Sequence, residues 1–89
     1  MPHSAQDALV LARTNINDVQ EARGSESIVV KHYQIAKKAL DKVDIKKTEN
    51  GALGDLIAAF EDLAQVLDDS GARFQERAEK CRQRAATLK

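Results

Sequence analysis

The sequence contains few of the residues that mark disulfide scaffolds, membrane spans and loop-rich enzymes. Its 89 residues include one Cys, one Pro, four Gly, two Phe, one Tyr and no Trp. A single Cys cannot form an internal disulfide, so we expect a reducing, intracellular location in the cytoplasm. The longest apolar run, 8–12, has five residues, whereas a membrane-spanning helix needs about 20. We therefore expect no membrane attachment.

An excess of charge of one sign is also absent, because 14 Lys and Arg residues balance 14 Asp and Glu residues. A hydrophobic fraction of 43% and a charged fraction of 31% are typical of a folded globular chain. A chain of this length predicts a single domain over residues 1–89. Helix-forming residues dominate after Pro2, and this composition favours an all-α fold.

Apolar residues recur at spacings of three and four along four segments, which predicts four amphipathic helices. These helices are placed at about 5–23, 26–43, 51–69 and 72–88. Short connections at Gly24 and Gly71 each predict an antiparallel hairpin. The predicted fold is therefore all-α, with four antiparallel helices arranged as two helical hairpins or as a compact four-helix bundle. The periodicity leaves both packings open.

The ends of these helices are predicted from cap residues and turn residues. The candidate N-caps are Ser4, Ser25 or Ser27, and Thr48 or Asn50. Arg23 and Gly24 are predicted to end the first helix, with Gly24 left-handed. Residues 44–50 are predicted to form a loop that Ile45 anchors.

Side-chain burial is predicted from the same stripes. Phe60 lies on the strongest stripe, in the third helix, and is predicted at the centre of the core. Cys81 lies on the narrow stripe of the fourth helix and is predicted to be a packed thiol. The second helix carries an additional stripe, predicted to widen its buried face: Ile28, Ile35 and Ala39, with His32 at the boundary. Val10 and Leu11 lie off the first helix's stripe, which predicts a second packing partner there.

The two hairpins show a faint internal duplication, because Gly24 and Gly71 are 47 residues apart and similar core spacings follow each. The resemblance is to tetratricopeptide (TPR) repeats, whose stacked helical hairpins bind peptides. The segments that carry it are Val29-x3-Tyr33-x2-Ala36, Leu53-x2-Leu56-x3-Phe60 and Phe74-x3-Ala78-x2-Cys81.

A rival resemblance is to the microtubule-interacting-and-trafficking (MIT) domain, a three-helix relative. Tyr33-x2-Ala36 and the segment 79–88 resemble its second and third helices, whereas the segment from Gly51 to Asp69 has no counterpart. Members of both families bind peptides or helices without catalysing a reaction. Either resemblance therefore implies a binding module.

Catalytic and cofactor motifs are not recognisable in the sequence. Cys81 and His32 are a conceivable nucleophile pair, but no third group is evident that would orient them. His3 lies at the N-terminal end and His32 stands alone, so neither predicts a metal site. The segment 51–54 contains two glycines without the Lys-Ser/Thr of a phosphate loop. We expect no enzymatic activity, no cofactor and no metal.

The zero net charge conceals opposite charges on different helices. The third predicted helix carries five acidic residues and no basic one, while the fourth, counted to Lys89, carries six basic and two acidic residues. Pairing between neighbouring helices is the favoured interpretation, and recognition of an acidic partner is the alternative. The candidate partner-binding residues share one face of the fourth helix: Arg73, Arg77, Lys80 and Arg84.

The predicted function is a non-enzymatic protein-interaction or scaffold module that binds a peptide or helix of a partner protein. We expect it to be one piece of a longer intracellular protein. One alternative is self-association, with Val10, Leu11 and the polar fourth helix forming a symmetric interface. The other is a helical nucleic-acid binder that uses the basic fourth helix, which the lack of accompanying aromatic residues disfavours.

Overall fold

A computed structural model describes residues 5–22, 24–48 and 50–89 of the chain. Within these ranges the structure is all-α and contains no strand. The four helices are α1 (Ala5–Glu21), α2 (Glu26–Asp41), α3 (Asn50–Asp69) and α4 (Gln75–Leu88). Two short 3-10 turns, Ile45–Lys47 and Ala72–Phe74, precede α3 and α4. The predicted all-α fold with four helices is confirmed.

The helix boundaries differ from the prediction by a few residues at most. α2 ends two residues early, and the first turn of the predicted fourth helix is 3-10 rather than α. Gly71 precedes that turn with φ of 129°, a backbone conformation that only glycine adopts readily. The predicted cap Ser4 and the predicted end at Arg23 lie outside the described residues.

The segment predicted as a loop contains a short helical turn. The Asp44 carboxylate accepts a hydrogen bond from the Lys46 backbone N–H at 3.0 Å, which caps the turn Ile45–Lys47. Thr48 donates its hydroxyl to the Asp44 carbonyl at 2.5 Å, so this hydroxyl stabilises the turn instead of capping α3. The local hydrogen-bonding capacity of Asp and Thr explains the difference.

The core is centred on α3, which contacts each of the other three helices. Phe60 is 1% exposed and belongs to the continuous apolar cluster, as predicted. Its neighbours along the buried stripe of α3 are Leu56, Leu63, Ala64 and Leu67. α4 contributes smaller side chains to the same cluster: Ala78, Cys81 and Ala85. Small residues on α4 let it approach the large side chains of α3 closely.

The first helix of each hairpin lies beside the other, and the two run in the same direction. Arg13 of α1 forms an ion pair with Asp62 of α3. From that pair, the cleft between the two helices extends to Gln20 on α1 and to Asp69 on α3. Residue numbers therefore rise together along both helices.

The second helices are related in the same way. Glu26 of α2 forms an ion pair with Arg73, and further along α2 the Tyr33 ring contacts Arg77 of α4. α2 and α4 therefore run in the same direction, and α3 packs against both of them. In an up-and-down four-helix bundle, adjacent helices alternate in direction. Here the two hairpins stack side by side in the same orientation.

Candidate functional site

The basic stripe predicted as a partner site lies along the seam between α2 and α4. Arg73 pairs with Glu26 across this seam. The Arg77 guanidinium lies 5.9 Å from the centre of the Tyr33 ring and 5.8 Å from that of Phe74. Both arginines therefore contact α2, Arg73 through an exposed ion pair with Glu26 and Arg77 through a cation–π contact with Tyr33.

The other two candidate residues are closer to solvent. Lys80 is exposed and lies 3.8 Å from Glu76 on the same helix. Arg84 is half-buried, and within the described residues it makes no ion pair. Arg77, Lys80 and Arg84 thus recur at spacings of three and four on α4, whereas Arg73 lies in the turn before it, and Arg73 and Arg77 contact residues of α2. The surface left for an acidic partner is smaller than the sequence suggests.

The opposite charges of α3 and α4 are paired at the far end of the hairpin stack. Arg82 pairs with Asp68, and the Lys89 ammonium nitrogen lies 3.4 Å from a Glu61 carboxylate oxygen. These residues, with Gln65, surround a shallow polar depression between the two helices. We refer to this surface as the polar end. It presents charged side chains to solvent.

The opposite end of the stack carries an apolar depression between α1 and α2, called here the α1–α2 groove. Its volume is about 190 Å³. Leu11 on one wall is 49% exposed, although it is a large apolar side chain. The groove is lined by Asp7, Ala8 and Leu11 from α1 and by Ile35, Lys38, Ala39, Lys42 and Val43 from α2.

The groove faces away from the second hairpin. Leu11 and Arg13 are two positions apart on α1, so their side chains point about 200° apart. Arg13 contacts α3, which places Leu11 on the opposite side. The same relation holds on α2 between Ile35 in the groove and Tyr33, which contacts α4. No described helix covers the groove, which is therefore available to a partner.

A polar contact closes the hairpin beside the groove. The Asn15 side-chain amide donates to the Leu11 carbonyl at 2.9 Å, so its oxygen accepts from Nδ1 of His32 at 2.7 Å. An Asp18 oxygen lies 3.6 Å from the same His32 nitrogen. The predicted position of His32 at a boundary is confirmed, since its side chain is 23% exposed. Asn15 is 6% exposed and polar, so this bond fixes how α1 and α2 pair.

The single thiol is buried and has little nucleophilic character. Cys81 is 0% exposed, which confirms the predicted packed thiol. Burial raises its pKa from the ordinary 9.0 to about 11, so the thiol stays protonated at neutral pH. His32, in contrast, contacts α1. The geometry therefore gives this thiol the role of a core residue.

Charged residues on the two rims of the groove have opposite signs. The α2 rim is basic: Lys31, Lys38 and Lys42 fall within one side of the helix, next to Ile35. The α1 rim is acidic: Asp7 lines the groove itself, and Asp18 and Glu21 continue the rim along the adjoining depression near the turn between the helices. In the described part of the structure none of the three lysines forms an ion pair. The rim lysines are thus positioned to meet a negatively charged partner.

Sequence periodicity missed this surface because it predicted that the additional stripe of α2 is wholly buried. That prediction is wrong for Ile28, which is 44% exposed, and Ile35 is only half-buried. The predicted partner of Val10 and Leu11 is also absent from the described helices, where both are exposed. The sequence did contain a signal. Each residue of the additional apolar stripe on α2 is followed by a lysine three positions later.

Comparisons with known proteins supply no further guide. No protein-family model, no curated protein and no solved structure matches the chain. Over the described ranges, no group of three or more His, Cys, Asp or Glu side chains is arranged to hold a metal ion. In the same ranges, every helix is too short or too polar to cross a bilayer. The groove and its charged rims are the features from which a function can be argued.

Proposed function

We propose that the protein is a non-enzymatic interaction module that docks a helix of a protein partner in the α1–α2 groove. The observation that carries this proposal is an apolar groove left open at the end of a stack of helical hairpins. Burial of exposed Leu11 against a partner helix gains hydrophobic free energy. The small side chains of Ala8 and Ala39 form a floor that admits the close approach of another helix.

The resemblance to TPR repeats supports the same function. Proteins of this kind stack hairpins in one orientation, each hairpin covering the apolar face of its neighbour. The parallel placement of α1 beside α3 and of α2 beside α4 fits that logic. We propose that the hairpins are TPR-like and that the protein acts inside the cell, where the lone Cys81 remains reduced.

The basic stripe on α4 is the weaker candidate for docking. Arg73 and Arg77 already contact α2, so binding a partner there requires breaking contacts that join the hairpins. Lys80 and Arg84 remain as a small charged patch without an apolar anchor. Exposed charge pairs alone contribute little free energy, which favours the groove.

Photo-crosslinking tests the proposal directly. A benzophenone amino acid is introduced at Leu11, at Val10 as a matched control, and at Arg84 on the basic stripe. Val10 is more exposed than Leu11, at 63% against 49%, but does not line the groove. After irradiation in extract from cells that express the protein, we expect discrete protein adducts from position 11 and few from positions 10 and 84.

Two results would contradict the groove as the docking site. One is an absence of adducts from position 11 in a variant whose circular dichroism shows a folded protein. The other is strong, specific labelling from position 84, which would transfer the site to the basic stripe. Mass spectrometry of each adduct identifies the crosslinked chain and separates a heterologous partner from a second copy.

A further inference from the structure

We propose that the helices docked in the α1–α2 groove belong to a second copy of this chain, giving a symmetric dimer joined end to end through its two grooves. The inference rests on the proposed function, because it requires the groove to be a docking surface. It adds the identity of the occupant and the symmetry of the complex.

The first argument comes from the difference between the two ends of the stack. The polar end carries the ion pairs Arg82–Asp68 and Lys89–Glu61, whereas the groove end exposes Leu11. Contact between a groove end and a polar end would bury these charged groups against apolar side chains. Contact between two groove ends avoids this cost. A repeat stack with one polar end therefore closes as a dimer and does not extend as a filament.

The second argument comes from the charges on the rims. A twofold axis running along the groove, parallel to the helices, places α1 of each copy over α2 of the other. The acidic α1 rim then faces the basic α2 rim on both sides of the axis. A twofold axis across the groove would instead place α1 on α1 and α2 on α2, with like charges opposed. Charge complementarity thus selects the axis that is parallel to the helices.

The positions of the charges along the helices also agree with this axis. A twofold rotation about an axis parallel to the helices preserves height along them. Asp7 lines the groove at the height of Lys38 and Lys42. Asp18 lies at the height of His32, which directly follows Lys31. Asp7 and Asp18 of one copy therefore each meet a lysine of the other copy at their own level.

The apolar side chains follow the same relation. Leu11 and Ile35 line opposite walls of one groove. In the dimer, Leu11 of each copy lies over Ile35 of the other, so both exposed side chains are buried. In the dimer, the rim charges flank these two apolar contacts on both sides. An interface with an apolar centre and a charged rim is the usual arrangement in protein complexes.

The area of the face that α1 and α2 form sets the expected affinity of the dimer. A helix of this length is about 25 Å long, and two packed helices form a face about 20 Å wide. Each copy thus offers about 500 Å², and the dimer buries about 1,000 Å², at the lower limit for specific complexes. We therefore expect a reversible monomer–dimer equilibrium with a dissociation constant on the order of micromolar.

Analytical ultracentrifugation of two complementary variants tests this arrangement. One variant carries Lys31→Glu, Lys38→Glu and Lys42→Glu, so both of its rims are acidic. The other carries Asp7→Lys and Asp18→Lys, so both of its rims are basic. We expect wild type to shift from monomer to dimer mass between about 1 µM and about 1 mM. Each variant alone should stay monomeric, and an equimolar mixture should recover the dimer mass.

Further variants keep the test decisive. Lys80→Glu/Arg84→Glu replaces two basic residues with acidic ones on α4, away from the groove rims, and it should dimerise as wild type does. If circular dichroism shows that the basic-rim variant fails to fold, Leu11→Lys mixed with Ile35→Glu provides a second complementary pair. Each should be monomeric alone and dimeric in the mixture.

The outcomes separate this inference from the proposed function. A wild type that stays monomeric at about 1 mM overturns the dimer, even if position 11 still crosslinks to another protein. A dimer that both variants retain also overturns it, because the groove rims would then lie outside the interface. A monomeric protein with no adduct from position 11 overturns both proposals.

Discussion

The two hairpins share one topology but differ in what they bury. α3 contributes Phe60 and three leucines to the core, and Phe74 leads into α4 fully buried. α1 contributes mostly smaller side chains, among them Ala8 and Ala12. All of the large apolar side chains that the described structure leaves exposed lie on α1 and α2: Val10, Leu11 and Ile28.

This difference separates the stability of the domain from its capacity to bind. The α3–α4 hairpin has large apolar side chains inside and paired charges outside, so its surface offers little to a partner. The α1–α2 hairpin covers one side of α3, while none of the described helices covers its other side. Substitutions in α3–α4 should therefore affect folding, and substitutions at the groove should affect association.

The largest expected loss of stability follows from substitution of Phe60. Phe60→Ala removes the central side chain of the core and should lower the free energy of unfolding by about 3–5 kcal/mol. Because small domains are stable by only about 5–15 kcal/mol, this loss is a large part of the total stability. Leu11→Ala is the matched control, since Leu11 is 49% exposed, and should cost less than about 1 kcal/mol.

Thermal and urea unfolding followed by circular dichroism compare the two variants. The measurement should be made at a protein concentration low enough to keep wild type monomeric, because dimerisation adds apparent stability. Similar losses for Phe60→Ala and Leu11→Ala would contradict the distinction between a structural hairpin and a binding hairpin. It would mean that the groove side chain is part of the core.

The fold was predictable from the sequence to the extent that each helix reveals its own buried stripe. Phe60 and Cys81 lie on stripes with regular spacing, and both are buried as predicted. The relative orientation of the hairpins was not predictable, because periodicity describes one helix at a time. It depends on packing between side chains that are distant in sequence, as in the apolar cluster that joins the two hairpins.

The second-largest expected loss of stability occurs at high pH and comes from the buried thiol of the α3–α4 hairpin. The folded protein raises the pKa of Cys81 from 9.0 to about 11, so the unfolded chain releases this proton at lower pH than the folded one. The contribution of the protonated thiol to the free energy of unfolding is therefore complete below pH 9 and is lost as pH rises towards 11. Two pKa units correspond to about 2–3 kcal/mol of stability lost over that interval.

Urea unfolding of wild type and Cys81→Ala between pH 8 and pH 11 measures this loss. The variant lacks the titrating group and should show a shallower decline, whatever its stability at pH 8. Burial also raises the pKa of Tyr33, so a smaller decline in the same direction should remain. Parallel curves for the two proteins would show that the thiol reaches solvent in the folded state.

The candidate site was less predictable than the fold. The sequence directed attention to Arg73 and Arg77, whose charges the structure uses between α2 and α4. Leu11 and Ile35 were visible as apolar residues off the main stripes, but each helix alone predicts only that a second partner exists. Whether that partner is another helix of the chain or a different molecule depends on the tertiary arrangement, which leaves both on the open end.

The smallest expected effect is at the polar contact of the α1–α2 hairpin. Asn15→Ala removes the hydrogen bond with His32 and should lower stability by about 1 kcal/mol, because partly exposed His32 can bond to water instead. Asn17→Ala on the exposed side of α1 is the control and should be nearly neutral. The free energies come from urea unfolding of the monomer. A more stable Asn15→Ala protein would show that desolvation of the amide outweighs its bonds. The contact would then serve to set the pairing of α1 with α2, while the stability of the domain would come from the apolar packing around α3.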